Sequence, residues 1–136
     1  MKNLFLSICA TVVLASCGSM SSASSSKVGK SQPSLVNTKW TLDETVKGKV
    51  PTLQIESEKI NGNAGCNNYF GTVKMDMSTG SFLAGQMGST KMMCNNMNVE
   101  QNFLDMISKT NKYVISGNKL ELYKDNLLLL KFNKAE

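Results

Sequence analysis

Asn61-Gly62-Asn63-Ala64-Gly65-Cys66-Asn67-Asn68-Tyr69-Phe70-Gly71 decides how this chain is read. Glycine and asparagine enter positive φ at the least cost, so this density of them predicts a sharp bend. The flanks are strand-like: Leu53-Gln54-Ile55-Glu56 before, and Tyr69-Phe70 with Val73 after. A glycine inside a strand pattern marks a bulge, a corner or a close backbone approach. A phosphate-cradling loop needs a helix next, opened by Lys, Ser or Thr. An aromatic strand-like segment follows instead, so the stretch reads as a structural corner. A second landmark is Thr90-Lys91-Met92-Met93-Cys94, and the two are expected to form the ends of one clasp.

The 136 residues suffice for one small domain plus its termini. Met1-Lys2-Asn3 and the apolar run from Leu4 to Leu14 read as a secretory signal, too short to span a bilayer comfortably. Leu14-Ala15-Ser16-Cys17-Gly18 resembles a bacterial lipobox, which implies cleavage after residue 16 and lipidation of Cys17. Several acyl chains anchor stably, at about 0.8 kcal/mol per buried CH₂. Gly18 stands where an Asp would favour inner-membrane retention, so the resemblance implies a periplasm-facing outer-membrane address. Residues 18–34, rich in Ser and Gly, read as a flexible tether.

Cys9 leaves with the signal and Cys17 carries lipid, which leaves Cys66 and Cys94 in an exported compartment. A disulfide is the economical reading; two buried thiols acting as small hydrophobes are the alternative. Bridging them would close 28 residues of sequence separation, about 3–4 kcal/mol on the chain-entropy estimate. The formal charge of +5 is mild and its lysines are dispersed, so no nucleic-acid partner is implied. Weak attraction to anionic lipid fits the balance.

Short strands are expected throughout the folded part, which begins near Leu35. Trp40 and Leu42 share one face, and Trp40 reads as a core anchor. Leu53 and Ile55 face the core, and Glu56 and Glu58 are expected to share a solvated strand face. Phe70, with Val73, is expected to turn inward past a corner at Gly71, and Ser81–Ala84 to form a short strand. Val99, Phe103, Met106 and Ile107 fall on one face of a helix over 96–109, with Asn95, Asn96 and Asn98 as cap candidates and Glu100 in its first turn. Leu120-Glu121-Leu122 alternates, and Leu127–Leu130 reads as a central or barrel-closing strand. The fold class is therefore mostly β (α+β): a small antiparallel barrel-like sheet of about eight short strands, with one helix over its open end or one face.

Trp40-Thr41-Leu42, the G-x-x-G-C-N-x-x-x-G run from Gly62 to Gly71, Thr90-Lys91-Met92-x-Cys94, Glu100 and Phe103-Leu104, and Leu120-Glu121-Leu122 together resemble the META domain, also called HslJ-like, over about residues 35–133. The family is known as small, mostly antiparallel barrel-like domains with one helix, many of them bacterial envelope lipoproteins linked to stress. The resemblance carries Trp40, Gly62, Gly65, Asn67, Gly71, Thr90 and Met92 across as structural positions, not catalytic ones. It implies no enzymatic activity and no cofactor.

The chain has no histidine, which removes His-based triads, most zinc sites and the commonest general base. The carboxylates are dispersed. Met75, Met77, Met87, Met92, Met93 and Met97 crowd one span with Cys94; soft sulfur suits Cu(I), while adaptable packing is the plainer reading, and no metal site is assigned. Two functions are expected from different classes. One is a non-enzymatic envelope module, monomeric, that binds a protein or peptide in a groove between the helix and the sheet. The other is a barrel holding a small apolar ligand or lipid. An interior filled by Trp40, Phe70, Phe103 and Leu129 would favour the first, and an internal cavity of ligand size the second.

Overall fold

The computed structural model describes residues 25–136. The expected signal, Cys17 and the tether up to residue 24 lie outside the described residues. Eight strands follow in order: β1 (Thr38–Leu42), β2 (Thr52–Ile55), β3 (Lys59–Asn63), β4 (Asn68–Asp76), β5 (Ser81–Ser89), β6 (Lys112–Ser116), β7 (Lys119–Lys124) and β8 (Leu127–Lys134). One helix, α1 (Met97–Lys109), lies between β5 and β6. Every strand pairs antiparallel with its sequence neighbour, and β8 returns to β1 to close a barrel. Closure leaves no free sheet edge at the ends of the strand order.

The seams are unequal. β4 and β5 pair from Tyr69↔Ser89 to Asp76↔Ser81, whereas β5 and β6 meet only at Ser81↔Lys112. The far half of β5 therefore projects past β6, and α1 packs against β5 and β8 there. Phe103 enters from α1 and meets Tyr69 and Phe132 edge-on, with centroids 5.7 and 6.2 Å away. Inward side chains from every strand fill the barrel, among them Trp40, Leu53, Ile55, Ile60, Phe82, Tyr113, Leu120, Leu122 and Phe132. Buried phenols and indole keep their polar ends satisfied: Tyr69 donates to the Thr52 carbonyl, Tyr113 to the Pro33 carbonyl, and Trp40 Nε1 to Thr38 Oγ1.

Several local expectations change. Asn61–Asn63 is strand, so the bend is confined to Ala64–Asn67. β4 runs straight through Gly71 with unbroken alternation. Tyr69 and Val73 point in, and Phe70 points out at 62 % exposure rather than into the core. The irregularity sits across from it, where two residues of β5, Gly85 and Gln86, face Thr72 alone. Gly71 is required because Met87 Cγ lies 2.8 Å from where its Cβ would be. β5 extends to Ser89, well beyond Ala84. Glu56 and Glu58 share no strand face, because β2 ends at Ile55 and Glu56 N–H turns back to the Lys59 carbonyl. The Leu127–Leu130 run is explained by a bulge: Tyr123 faces Leu128 while Leu122 faces Leu130, so Leu129 is the extra residue and only half-buried.

The packed region also begins before Leu35. Gln32 is buried, its N–H bonds the Met77 carbonyl, and its Oε1 accepts from Ile115 N–H. This strap crosses the β4–β5 turn, at the rim where β1 begins and β8 ends. The Cys66 loop belongs to the opposite rim, under α1.

Candidate functional site

At the α1 rim, Cys66 and Cys94 are joined, with Cα atoms 6.0 Å apart. The bond ties the bend after β3 to the segment entering α1. Gly65 adopts φ +107, which side chains disfavour, and a Cβ there would meet Val99 Cγ1 at 2.9 Å. Gly62 lets β2 approach, because a Cβ would sit 2.2 Å from the Thr52 carbonyl oxygen. Asn63 holds the bend from inside: its Oδ1 accepts from Gly65 N–H and its Nδ2 donates to Asn68 Oδ1 and the Cys66 carbonyl.

Asn67 is the centre of the clasp and is 1 % exposed. Its Oδ1 accepts from Thr90 Oγ1 at 2.8 Å and from Met92 N–H at 2.7 Å. Its Nδ2 donates to the Met92 carbonyl and to Glu100 Oε2, both at 3.0 Å. Its backbone N–H also reaches Glu100 Oε2, at 2.8 Å. One amide thus reads the backbone of Met92, the hydroxyl of Thr90 and the carboxylate of Glu100. The Met92 side chain takes no part in these bonds and is mostly exposed.

Glu100, 5 % exposed, is the member that the sequence reading places only in the first helical turn. A signal was present: it precedes Phe103 by three and Ile107 by seven, on their buried face. A carboxylate on that face needs a partner, and Asn67 supplies it. Asn96 caps α1 by position without a side-chain cap bond. Its Nδ2 instead bonds the carbonyls of Lys47 and Gly65, stitching the 43–50 loop to the clasp. Trp40 stands apart in the barrel core. Among the described residues, no buried side-chain nitrogen or oxygen lacks a hydrogen-bond partner.

What remains accessible lies around the clasp and beside it. A cleft of about 580 Å³ separates the 45–48 loop from the start of α1, with Val46 and Val99 as its apolar part and Asn95, Asn96 and Asn98 around it. Met93 is 89 % exposed next to the disulfide. The methionines do not converge: Met77 lies in the β4–β5 turn and Met92 past the hairpin's other end. Among the described residues, no three His, Cys, Asp or Glu side chains gather as a metal site. A second groove, of about 890 Å³, runs over the outer face of β3, β4 and β5.

Few titrations are displaced. Burial raises the Tyr69 phenol far above its usual range. Tyr113 and Tyr123 are raised too, first by burial, with Glu121 adding to the effect at Tyr123. Lys119 and Asn133, bonded to Asp43, hold its carboxyl below the usual value, and Ser78 does the same for Asp76.

The chain falls in a known class of domain. The sequence model of the META domain matches residues 33–136, and the chain belongs to that family. No curated protein matches it. Two solved structures share the fold. One, an NMR structure of a protein from Burkholderia xenovorans, has a TM-score of 0.62 and 22 % identity over 74 % of this chain and 83 % of that one. Another NMR structure has a TM-score of 0.55 and 21 % identity over 71 % of this chain and 88 % of that one.

Proposed function

We propose that the chain is a non-enzymatic cell-envelope lipoprotein, anchored through Cys17 to the outer membrane, that binds a protein or peptide partner at the α1 rim. The filled barrel interior carries this reading. With Trp40, Phe103, Phe132 and their neighbours packed inside, recognition falls to the surface rather than to an enclosed ligand. The cleft between the 45–48 loop and α1 offers an apolar floor ringed by amides, with exposed Met92 and Met93 nearby. The non-enzymatic part rests on the missing histidine and on the clasp's polar groups, each committed to another.

A photo-crosslinking side chain at Met93, activated in intact cells, is expected to capture a discrete envelope protein. The same probe at Leu127, exposed on β8, should not capture it. Identical products from both positions would refute the docking surface. Cys17→Ala is expected to move the protein from the membrane to the soluble fraction, and continued membrane residence would refute the anchor.

A further inference from the structure

The outer groove on β3, β4 and β5 contains an aromatic ring that does nothing for the core. Phe70 points out of the barrel, and its far edge lies across Gly88, its partner on β5. A Cβ at 88 would meet ring atoms at 2.8 and 3.0 Å, so glycine lets the ring rest on the β5 backbone. The result is a fixed apolar platform in an open groove of about 890 Å³, within the range of small-molecule sites.

We propose that this groove binds a short, uncharged oligosaccharide, one pyranose ring stacking on Phe70. Asn61 is the cross-strand neighbour of Phe70 on β3, and Gln86 projects from the β5 irregularity on the other side. These two amides each offer donors and an acceptor. Glu56, which receives a 3.4 Å contact from Asn61 Nδ2, adds a carboxylate, and Lys59 adds an ammonium. The two charges cancel, so the complementary occupant carries no net charge. An anion would meet Glu56 and a cation would meet Lys59. A purely apolar chain would cover the amides without bonding them, which costs the desolvation of each group. Along β4 a peptide has no strand edge to pair with, because β4 is paired on both sides with β3 and β5. A sugar ring satisfies all the constraints. Its C–H face suits the negative π-face of Phe70, and its edge hydroxyls both donate and accept.

The groove lies on the barrel wall, away from the α1-rim cleft, so this proposal and the partner-binding one fail separately. The test titrates the intact chain with tri-N-acetylchitotriose and with maltotriose, followed by amide NMR and calorimetry. Saturable shifts are expected at Asn61, Phe70, Gln86 and Gly88 with at least one of the two sugars. Phe70→Ala is expected to weaken binding by about tenfold or more, and Gln86→Ala by a smaller factor, with the melting temperature nearly unchanged in both. No saturable shift with either sugar up to about 10 mM, which corresponds to roughly 3 kcal/mol of binding, would overturn the proposal. So would binding that survives Phe70→Ala intact, or shifts that map to the α1 rim.

Discussion

The inner and outer halves of one motif behave as opposites. Within residues 61–71, Asn63, Gly65, Cys66 and Asn67 turn inward, and the side-chain amides of Asn63 and Asn67 are fully engaged. Asn61 and Phe70, on the same two strands, lie on the outer face, where Asn61 contacts Glu56 and Phe70 lies over Gly88. The comparison separates two reasons for a residue to be present. The inner set is required by the bend. The outer set adds no side chain to the core, and so bears on what the surface meets.

The largest expected effect is on the inner side. Asn67→Ala removes five side-chain hydrogen bonds, one of them to Cys66 Sγ, and leaves Glu100 buried with a single backbone donor. It should cost about 3–5 kcal/mol in denaturant unfolding, on the scale of breaking a buried charged network. A loss below about 1 kcal/mol would mean that the clasp stands without its amide.

Next comes the disulfide. Cys66→Ala, Cys94→Ala and the double variant should each lose the same amount under oxidising conditions, about 3–4 kcal/mol. Unequal, additive losses would show that each sulfur contributes through packing rather than through their bond. Asn67 stays bonded to Thr90, Met92 and Glu100 when the sulfurs part, so the reduced protein is expected to keep a cooperative, if lower, transition.

Tyr69→Phe is a gentler probe. It removes the bond to the Thr52 carbonyl and should cost about 1 kcal/mol. It also tests the alkaline limb. Folding raises the Tyr69 phenol above its unfolded value of 10.0, so its contribution is complete below pH 10 and declines as pH rises further. Tyr113 and Tyr123 shift the same way. The variant should therefore unfold less steeply with pH above 10, and an unchanged slope would remove Tyr69 from the account. Asp43 has the opposite sign. Its carboxyl is depressed below 3.8, so what it contributes is present above that value and fades as pH falls through the folded one. Asp43→Asn should flatten the acid limb.

The smallest expected change is Phe70→Ala. Stability should move by less than about 0.5 kcal/mol, the usual range for surface substitutions. A large loss would erase the contrast and return Phe70 to the fold.

Much of the barrel was legible, because short alternating segments with turn signals have few other solutions. Trp40, Leu53, Ile55, Phe103 and Ile107 announce the core by period alone. The errors have one physical source. Phe70 looked like core because it is aromatic and Gly71 looked like a corner, yet the pleat had already assigned inward places to Tyr69 and Val73. The irregularity that makes this work lies on β5, a different strand, where no reading of β4 finds it. Glu100 was hidden for a related reason: a first-turn carboxylate has a complete local explanation, and its buried partner is 33 residues away. The groove beside Phe70 was not legible at all, since it exists only once three strands are in register.

The strap at Gln32 has a mechanical consequence. Both ends of the folded region leave by the same rim, where Gln32 is pinned to Met77 and Ile115 and Ala135 is bonded to Lys39. Tension drawn through the N-terminal side would load those few bonds first and peel the strap from the β4–β5 turn. The covalent cross-link, at the opposite rim, would carry none of that force, and the surface around it would keep its shape while the protein is pulled.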